Sequence, residues 1–280
     1  MYRIVTKEAL KPTVILYEIE APMVAKKAQP GQFIILRVDE NGERVPITIH
    51  DYDREKGTVT IIVQTVGATT EKLSHKQQGD YLQDFVGPLG VPTHTEGKKK
   101  VCVVGGGVGC AIAYPVLKKF HDCGAEVHAV VGFKNKDVVI LEDKFKAVSS
   151  VLKVCTDDGS YGQKGLVTEA LKELLDEGHQ YDEIFAIGPM VMMKFVSMTT
   201  KPYGVPTTVS MSPIMIDGTG MCGGCRLTVG GETKFACVDG PDFDGHQVDW
   251  DLAVKRNQMY AEFEKHKHEE VCNLFKQEVK

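Results

Sequence analysis

The sequence has no surplus of positive charge: 33 Lys and Arg stand against 38 Asp and Glu, a formal net charge of -5. Without basic excess to neutralise phosphates, nucleic acid is not an expected partner. Also missing is any apolar run near the roughly 18 residues of a membrane helix. The start MYRIVTKEAL holds no apolar signal stretch. The expectation is a cytoplasmic chain with no membrane partner. There is no internal repeat, and 42% hydrophobic with 25% charged residues is ordinary globular composition, which argues against disorder and fibrous structure. A length of 280 residues suits two modest domains rather than one small core.

What the chain does have is eight cysteines: Cys102, Cys110, Cys123, Cys155, Cys222, Cys225, Cys237 and Cys272. In a reducing compartment disulfides are uncommon, so clustered cysteines point to metal or catalysis. Five lie scattered among apolar neighbours and are expected to be inert core residues. Cys222, Cys225 and Cys237 fall within sixteen positions.

The first hundred residues read as β. Runs 13–19, 32–38 and 58–63 are short, rich in β-branched residues and separated by Gly, Pro, Asn and Asp clusters, which predicts a small antiparallel barrel. One helical stretch is expected near Thr70–Leu73. From about residue 98 the pattern changes. Apolar runs 101–104, 127–131, 151–154 and 183–187 alternate with helical stretches 111–120 and 168–176, which predicts a doubly wound parallel sheet. A Gly- and Cys-rich zone follows, too small to hold its own core and expected to need a metal for order. The last thirty residues are charged, with Leu252, Met259 and Phe263 at helical spacing, and predict one or two surface helices. The expected divisions are 1–97, 98–210, 211–247 and 248–280.

Four constellations carry chemistry. The most specific is Asp217-x4-Cys222-x2-Cys225-x11-Cys237. Two thiolates three residues apart reach one metal centre, and Gly223 and Gly224 let backbone amides point at sulfur, as iron–sulfur clusters require. Asp217 stands where a fourth ligand would be. Three thiolates and a carboxylate also suit tetrahedral zinc, so spacing favours a [2Fe-2S] cluster and leaves zinc open.

The second is Gly105-Gly106-Gly107-Val108-Gly109, after a strand and before a helix, where amides accept a pyrophosphate. It departs from G-x-G-x-x-G, because Cys110 occupies the third glycine position. A structural glycine turn is the competing reading.

Gly188-Pro189-Met190, at the end of a later parallel strand, faces the same expected crevice, as does Asp157 in the turn 156–162. Met192 is read as core. The fourth pairs Arg44-Val45-Pro46-Ile47-Thr48 with Gly67-Ala68-Thr69-Thr70. A guanidinium suits phosphate, and a helix start suits the other side of a pyrophosphate. By themselves both segments read equally well as surface strand and turn.

In this order, with Gly87-Pro88-Leu89-Gly90 between them, the pieces resemble the ferredoxin–NADP+ reductase superfamily over residues 2–250. The nearer similarity is to the group with a C-terminal [2Fe-2S] segment. That group includes the electron-transfer subunit of bacterial dihydroorotate dehydrogenase B and the small subunit of NADH-dependent reduced ferredoxin:NADP+ oxidoreductase. The former usually carries cysteine where Asp217 stands, so the latter branch is favoured.

The resemblance implies that Arg44, Pro46, Ile47, Thr48, Ile62, Gln64, Gly67, Thr69 and Thr70 hold FAD. It implies that Gly106, Gly107, Val108, Gly109, Asp157, Gly188, Pro189 and Met190 hold NAD(H), and that Asp217, Cys222, Cys225 and Cys237 ligate the cluster. A flavin stands between the two-electron nicotinamide and the one-electron cluster. No catalytic acid or base is expected, and the nine histidines are read as solvated or structural. The resemblance also implies a larger flavin and iron–sulfur partner like the glutamate synthase small subunit, handling ferredoxin and NADP+ in electron bifurcation. The alternatives are a dihydroorotate dehydrogenase electron-transfer subunit or, in another class, a zinc-stabilised NADH-sensing module.

Overall fold

In the computed structural model, residues 1–278 are described, with side chains to 272. The N-terminal elements are β1 (Tyr2–Lys11), β2 (Val14–Glu20), α1 (Pro22–Lys27), β3 (Phe33–Arg37), β4 (Val45–Thr48), β5 (Asp51–Asp53), β6 (Thr58–Gln64), α2 (Ala68–His75), β7 (Tyr81–Leu82) and β8 (Asp84–Leu89). They make two antiparallel sheets, β5-β6-β2-β1-β7 and β4-β3-β8. Between them lie Ile4, Tyr17, Ile34, Leu36, Val59, Ile61 and Phe85, all buried. Alternation sets this arrangement: in β6, Val59 and Ile61 turn inward, and each further pair of positions returns to the same face.

Next come β9 (Lys100–Gly106), α3 (Cys110–Asp122), β10 (Glu126–Phe133), α4 (Glu142–Val148), β11 (Val151–Thr156), β12 (Gln163–Lys164), α5 (Val167–Asp176), β13 (Glu183–Ile187), α6 (Met190–Thr200) and β14 (Thr207–Ser210). Their sheet runs β12-β11-β10-β9-β13-β14 and is parallel throughout, buried under helices as the unbroken apolar runs require. β10 to β12 build outward from one side of β9, and β13 and β14 from the other, so the order reverses at β9/β13. A crevice at the carboxyl ends of these two strands is where open α/β sheets take ligands.

The Gly- and Cys-rich zone forms the hairpin β15 (Arg226–Val229) and β16 (Glu232–Phe235), then β17 (Asp242–Asp244), which pairs antiparallel with β14 and caps the parallel sheet. Its core is shared. Cys225, Leu227 and Cys237 pack in one cluster with Val104, Ile184 and Met193 of the parallel-sheet region and with Phe33 and Ile35 of β3.

The chain ends in α7 (Trp250–Asn257) and α8 (Ala261–Glu278), of which α8 lies against α2. Both lie at the surface: Leu252, Met259 and Phe263 are exposed, while Ala253 and Val271 are buried. Two of the cysteines read as core residues depart from that reading: Cys123 is exposed and Cys272 half-buried, whereas Cys102, Cys110 and Cys155 are buried. Among the described residues no helix is long and apolar enough to cross a membrane.

Candidate functional site: the glycine turn and the cysteine loop

The register of β9 against β13 sets Gly105 opposite Ile187. The 3-10 turn Gly107–Gly109 therefore emerges beside Gly188-Pro189. The approach is close: a Cβ on Gly109 would lie 2.6 Å from the Ile187 carbonyl oxygen and 2.7 Å from Gly188 Cα. One on Gly106 would lie 2.4 Å from Met192 Sδ and 3.1 Å from Pro189 Cδ. Val108 is half-buried over this turn, and Met190 opens α6 beside it. Asp157 follows β11 at the same carboxyl edge, its amide donating to the Phe133 carbonyl at 3.0 Å. Cys110 begins α3 fully buried, and burial pushes its thiol well above the ordinary range.

The barrel side brings its own residues toward this edge. β6 contacts the Gly107–Gly109 turn. Ile62 of β6, with Val14 of β2, is buried in one cluster with Cys110 and Ala111 of α3. Gln64 ends β6 half-buried. Pro46, Ile47 and Thr48 lie half-buried on β4, which pairs with β3. Gly67 precedes α2 in extended backbone, and the Thr70 hydroxyl accepts from the Val66 and Gly67 amides at 3.0 Å. Thr69 is buried, with its hydroxyl 3.3 Å from a Glu43 oxygen.

Arg44 is placed in a way its sequence did not indicate. Its Nε donates to the Ile216 carbonyl at 2.9 Å and Nη2 to the Asp217 carbonyl at 3.4 Å. Nη1 is 3.9 Å from Asp84. One guanidinium thus ties the residue before β4 to the start of the cysteine loop, 173 positions away. Hydrogen-bond partners separated this far in sequence leave no local signal.

The cysteine loop is ordered by its own backbone. Asp217 Oδ1 accepts from the Thr219 amide at 3.0 Å, and Oδ2 from the Met221 and Cys222 amides at 3.1 and 2.8 Å. These donors, the Thr219 amide foremost, hold the Asp217 carboxyl below the usual carboxylate range. The Gly224 amide points at Cys222 Sγ, 3.4 Å away, and the Gly220 amide at Cys237. Cys225 Sγ and Cys237 Sγ stand 3.2 Å apart, buried and far longer than a disulfide bond.

Burial, with Cys225 adding, pushes the Cys237 thiol up to about 12. Two sulfurs facing each other in an apolar core, with amides aimed at sulfur, suit a soft metal that keeps them deprotonated, while among the described residues neither Asp217 nor Cys222 comes within 4.8 Å of both. An iron–sulfur cluster fits this pair. Cys222 is exposed, and exposed apolar side chains stand near it: Met221 at 86%, Ile216 at 53% and Val238 at 42%.

Comparison with known proteins agrees with this layout. The sequence profile of the iron-sulfur cluster binding domain of dihydroorotate dehydrogenase B matches residues 212–249. A Thermotoga maritima dihydroorotate dehydrogenase B (NAD(+)) electron transfer subunit homolog is 48% identical, across 95% of this chain and 94% of its own. The Desulforamulus reducens electron transfer subunit is 32% identical, across 86% and 94%. A chain from the NADH-dependent reduced ferredoxin-NADP oxidoreductase structure, solved in work on flavin-based electron bifurcation, superposes with a TM-score of 0.91 at 46% identity, covering 96% of this chain and 97% of that one. The Neisseria gonorrhoeae ferredoxin NADP+ reductase shares the fold at a TM-score of 0.61, with 16% identity over 72% and 90% of the two chains. The protein belongs to the dihydroorotate dehydrogenase B electron-transfer subunit family, in the branch of the ferredoxin–NADP+ reductase superfamily that includes the small subunit of NADH-dependent reduced ferredoxin:NADP+ oxidoreductase.

Proposed function

We propose that this chain is the small subunit of an electron-bifurcating NADH-dependent reduced ferredoxin:NADP+ oxidoreductase, passing electrons between NAD(H), FAD and a [2Fe-2S] cluster. The observation that carries the reading is the agreement at 46% identity along 96% of the chain with the structure of that oxidoreductase. The flavin, when bound, takes up two electrons from a nicotinamide and releases them one at a time, which the cluster requires.

The chain's own residues would do the binding and the spacing. Gly106 to Gly109 and Gly188-Pro189-Met190 would cradle NAD(H) at the strand-order reversal, with Asp157 at the same edge. Pro46 to Thr48, Ile62, Gln64 and Gly67 to Thr70 would hold FAD, with the α2 amides toward its pyrophosphate. Arg44 would both face that phosphate and fix the loop of Asp217, Cys222, Cys225 and Cys237, the proposed ligands. The proposed divisions are a flavin barrel at 1–97, a nucleotide sheet at 98–210, a cluster segment at 211–247 and a tail from 248. A larger partner subunit follows from the relatives. We identify it as a flavin and iron–sulfur subunit resembling the glutamate synthase small subunit, which would exchange electrons with ferredoxin and NADP+. The exposed Ile216, Met221 and Val238 around Cys222 support docking there.

A second reading has its own support: the matching cluster domain is that of dihydroorotate dehydrogenase B. Anaerobic co-purification from the native host separates the two. The first reading expects a yellow-brown complex whose flavin and cluster absorbance NADH bleaches, with NADP+ and ferredoxin as further reactants. A partner that oxidises dihydroorotate refutes it. A colourless chain holding one zinc and no flavin refutes both.

A further inference from the structure

A cluster of donor groups joins the C-terminal helix to α2, outside the residues proposed above to hold cofactors. Where α8 lies against α2, a Glu71 carboxylate oxygen, a His268 ring nitrogen and the Cys272 sulfur all come within 4.8 Å of one another. His268 and Cys272 are four residues apart, so one helical turn sets them on the same face of α8. Glu71 answers from the facing helix. Its Oε2 stands 3.9 Å from His268 Nε2, and its Oε1 is 3.4 Å from His75 Nε2, one turn further along α2.

His268 Nε2 is sealed from solvent and has no hydrogen-bond partner among the described residues. A buried polar atom left unmatched costs about 1–3 kcal/mol, and 3.9 Å is too long for Glu71 to satisfy it by a hydrogen bond.

We infer that Glu71, His268 and Cys272 form a binding site for a divalent cation of the zinc class, which clamps α8 to α2. The donor set selects the metal. One thiolate and one imidazole beside a carboxylate suit zinc, whereas magnesium and calcium require oxygen. Zinc bonds of about 2.0–2.3 Å bring neighbouring tetrahedral donors to roughly 3.5 Å apart, so Glu71 and His268, now 3.9 Å apart, close in by about 0.4 Å and no pair by more than about 1.3 Å. Water takes the fourth position. His75 holds the second Glu71 oxygen and so orients the ligating one, the usual pairing behind a metal-bound carboxylate. Glu71 follows Thr70 on α2, which the flavin reading uses, but the cation site needs only its own three donors, none of which belongs to the cysteine loop.

The test uses the full-length protein, purified anaerobically with its cofactors, loaded with zinc and dialysed against a weak chelator. Metals are then counted by mass spectrometry. One retained zinc per chain is expected, with iron and flavin content unchanged and slower amide exchange along α8. The double substitution His268→Ala/Cys272→Ala is expected to lose that zinc and the slowed exchange while keeping iron and flavin. Glu71→Gln, on the opposite helix, is expected to weaken zinc binding at least about tenfold. The inference is overturned if the wild type retains no zinc, if the double variant retains as much, or if zinc enters only as iron leaves, which places it at Cys222, Cys225 and Cys237.

Discussion

Replacing Gly109 by alanine tests the contact between the glycine turn and β13 without touching a charged group. The added Cβ would meet the Ile187 carbonyl oxygen at 2.6 Å and Gly188 Cα at 2.7 Å. Both are backbone atoms, so no rotamer change relieves the overlap and the turn must move. Overpacking of this kind costs about 1–3 kcal/mol, read as a fall of about 2–4 °C in melting temperature per kcal/mol.

Two companions divide the effect. Gly107 has φ +56 and open space around it. Alanine there carries only the left-handed backbone cost of about 1 kcal/mol. Gly178, at φ +87 after α5, has the same backbone requirement and equal room, but it precedes β13 at the opposite edge of the sheet. Alanine at 178 is expected to match the stability loss at 107 and leave NADH affinity unchanged. Alanine at 109 is expected to weaken NADH binding about tenfold or more, equivalent to about 1.4 kcal/mol. Calorimetric titration of NADH against each variant, with flavin and iron content verified, reads this directly. If the 109 variant melts lower yet binds NADH within about threefold of wild type, the turn does not hold the dinucleotide.

Asp217→Cys is expected to keep two irons per chain and shift the cluster potential, because thiolate donates more charge than carboxylate. A redox titration with unchanged midpoint and spectrum would show that Asp217 only caps its loop. Asp242, facing the Thr93 hydroxyl at 2.5 Å and near Glu183, has its carboxyl pushed up to about 6 by burial. The folded state therefore binds the proton more tightly than the unfolded one, and stability falls as pH climbs from about 4 to 6, by up to roughly 3 kcal/mol. Denaturation across pH should show that slope in the wild type and lose it in Asp242→Asn; an equal slope in both disproves the assignment. Arg44→Lys removes the fork that reaches the Ile216 and Asp217 carbonyls. It is expected to speed iron loss to a chelator and to cost about 1 kcal/mol. Unchanged release would mean the loop stands without that tie.

The parallel sheet was legible in the sequence because its strands are buried on both faces and read as unbroken apolar runs: 101–104, 127–131 and 183–187 each fall inside a strand. The cysteine loop was legible for a different reason, since the spacing of Cys222, Cys225 and Cys237 is local. β1 was not. Lys7, Glu8 and Lys11 interrupt it, and only Ile4 of its ten residues is buried, so no apolar pattern marks it. Likewise hidden were the hold of Arg44 on the loop, which links two distant segments, and the way 211–247 fills its interior. That stretch is too short for a separate core, and borrowing Phe33 and Ile35 from β3 resolves the difficulty without isolating it.

That shared interior has a consequence for conduction. A Cβ on Gly218 would strike Leu89 at 2.8 Å and Ile35 at 2.9 Å, so the cysteine loop packs closely against the barrel wall there. Any swing of the loop away from the barrel would have to tear open an apolar seam. Were FAD and the cluster held by the residues proposed for them, this seam would keep the two sets of residues at one separation, leaving movement to the nucleotide edge or to the partner.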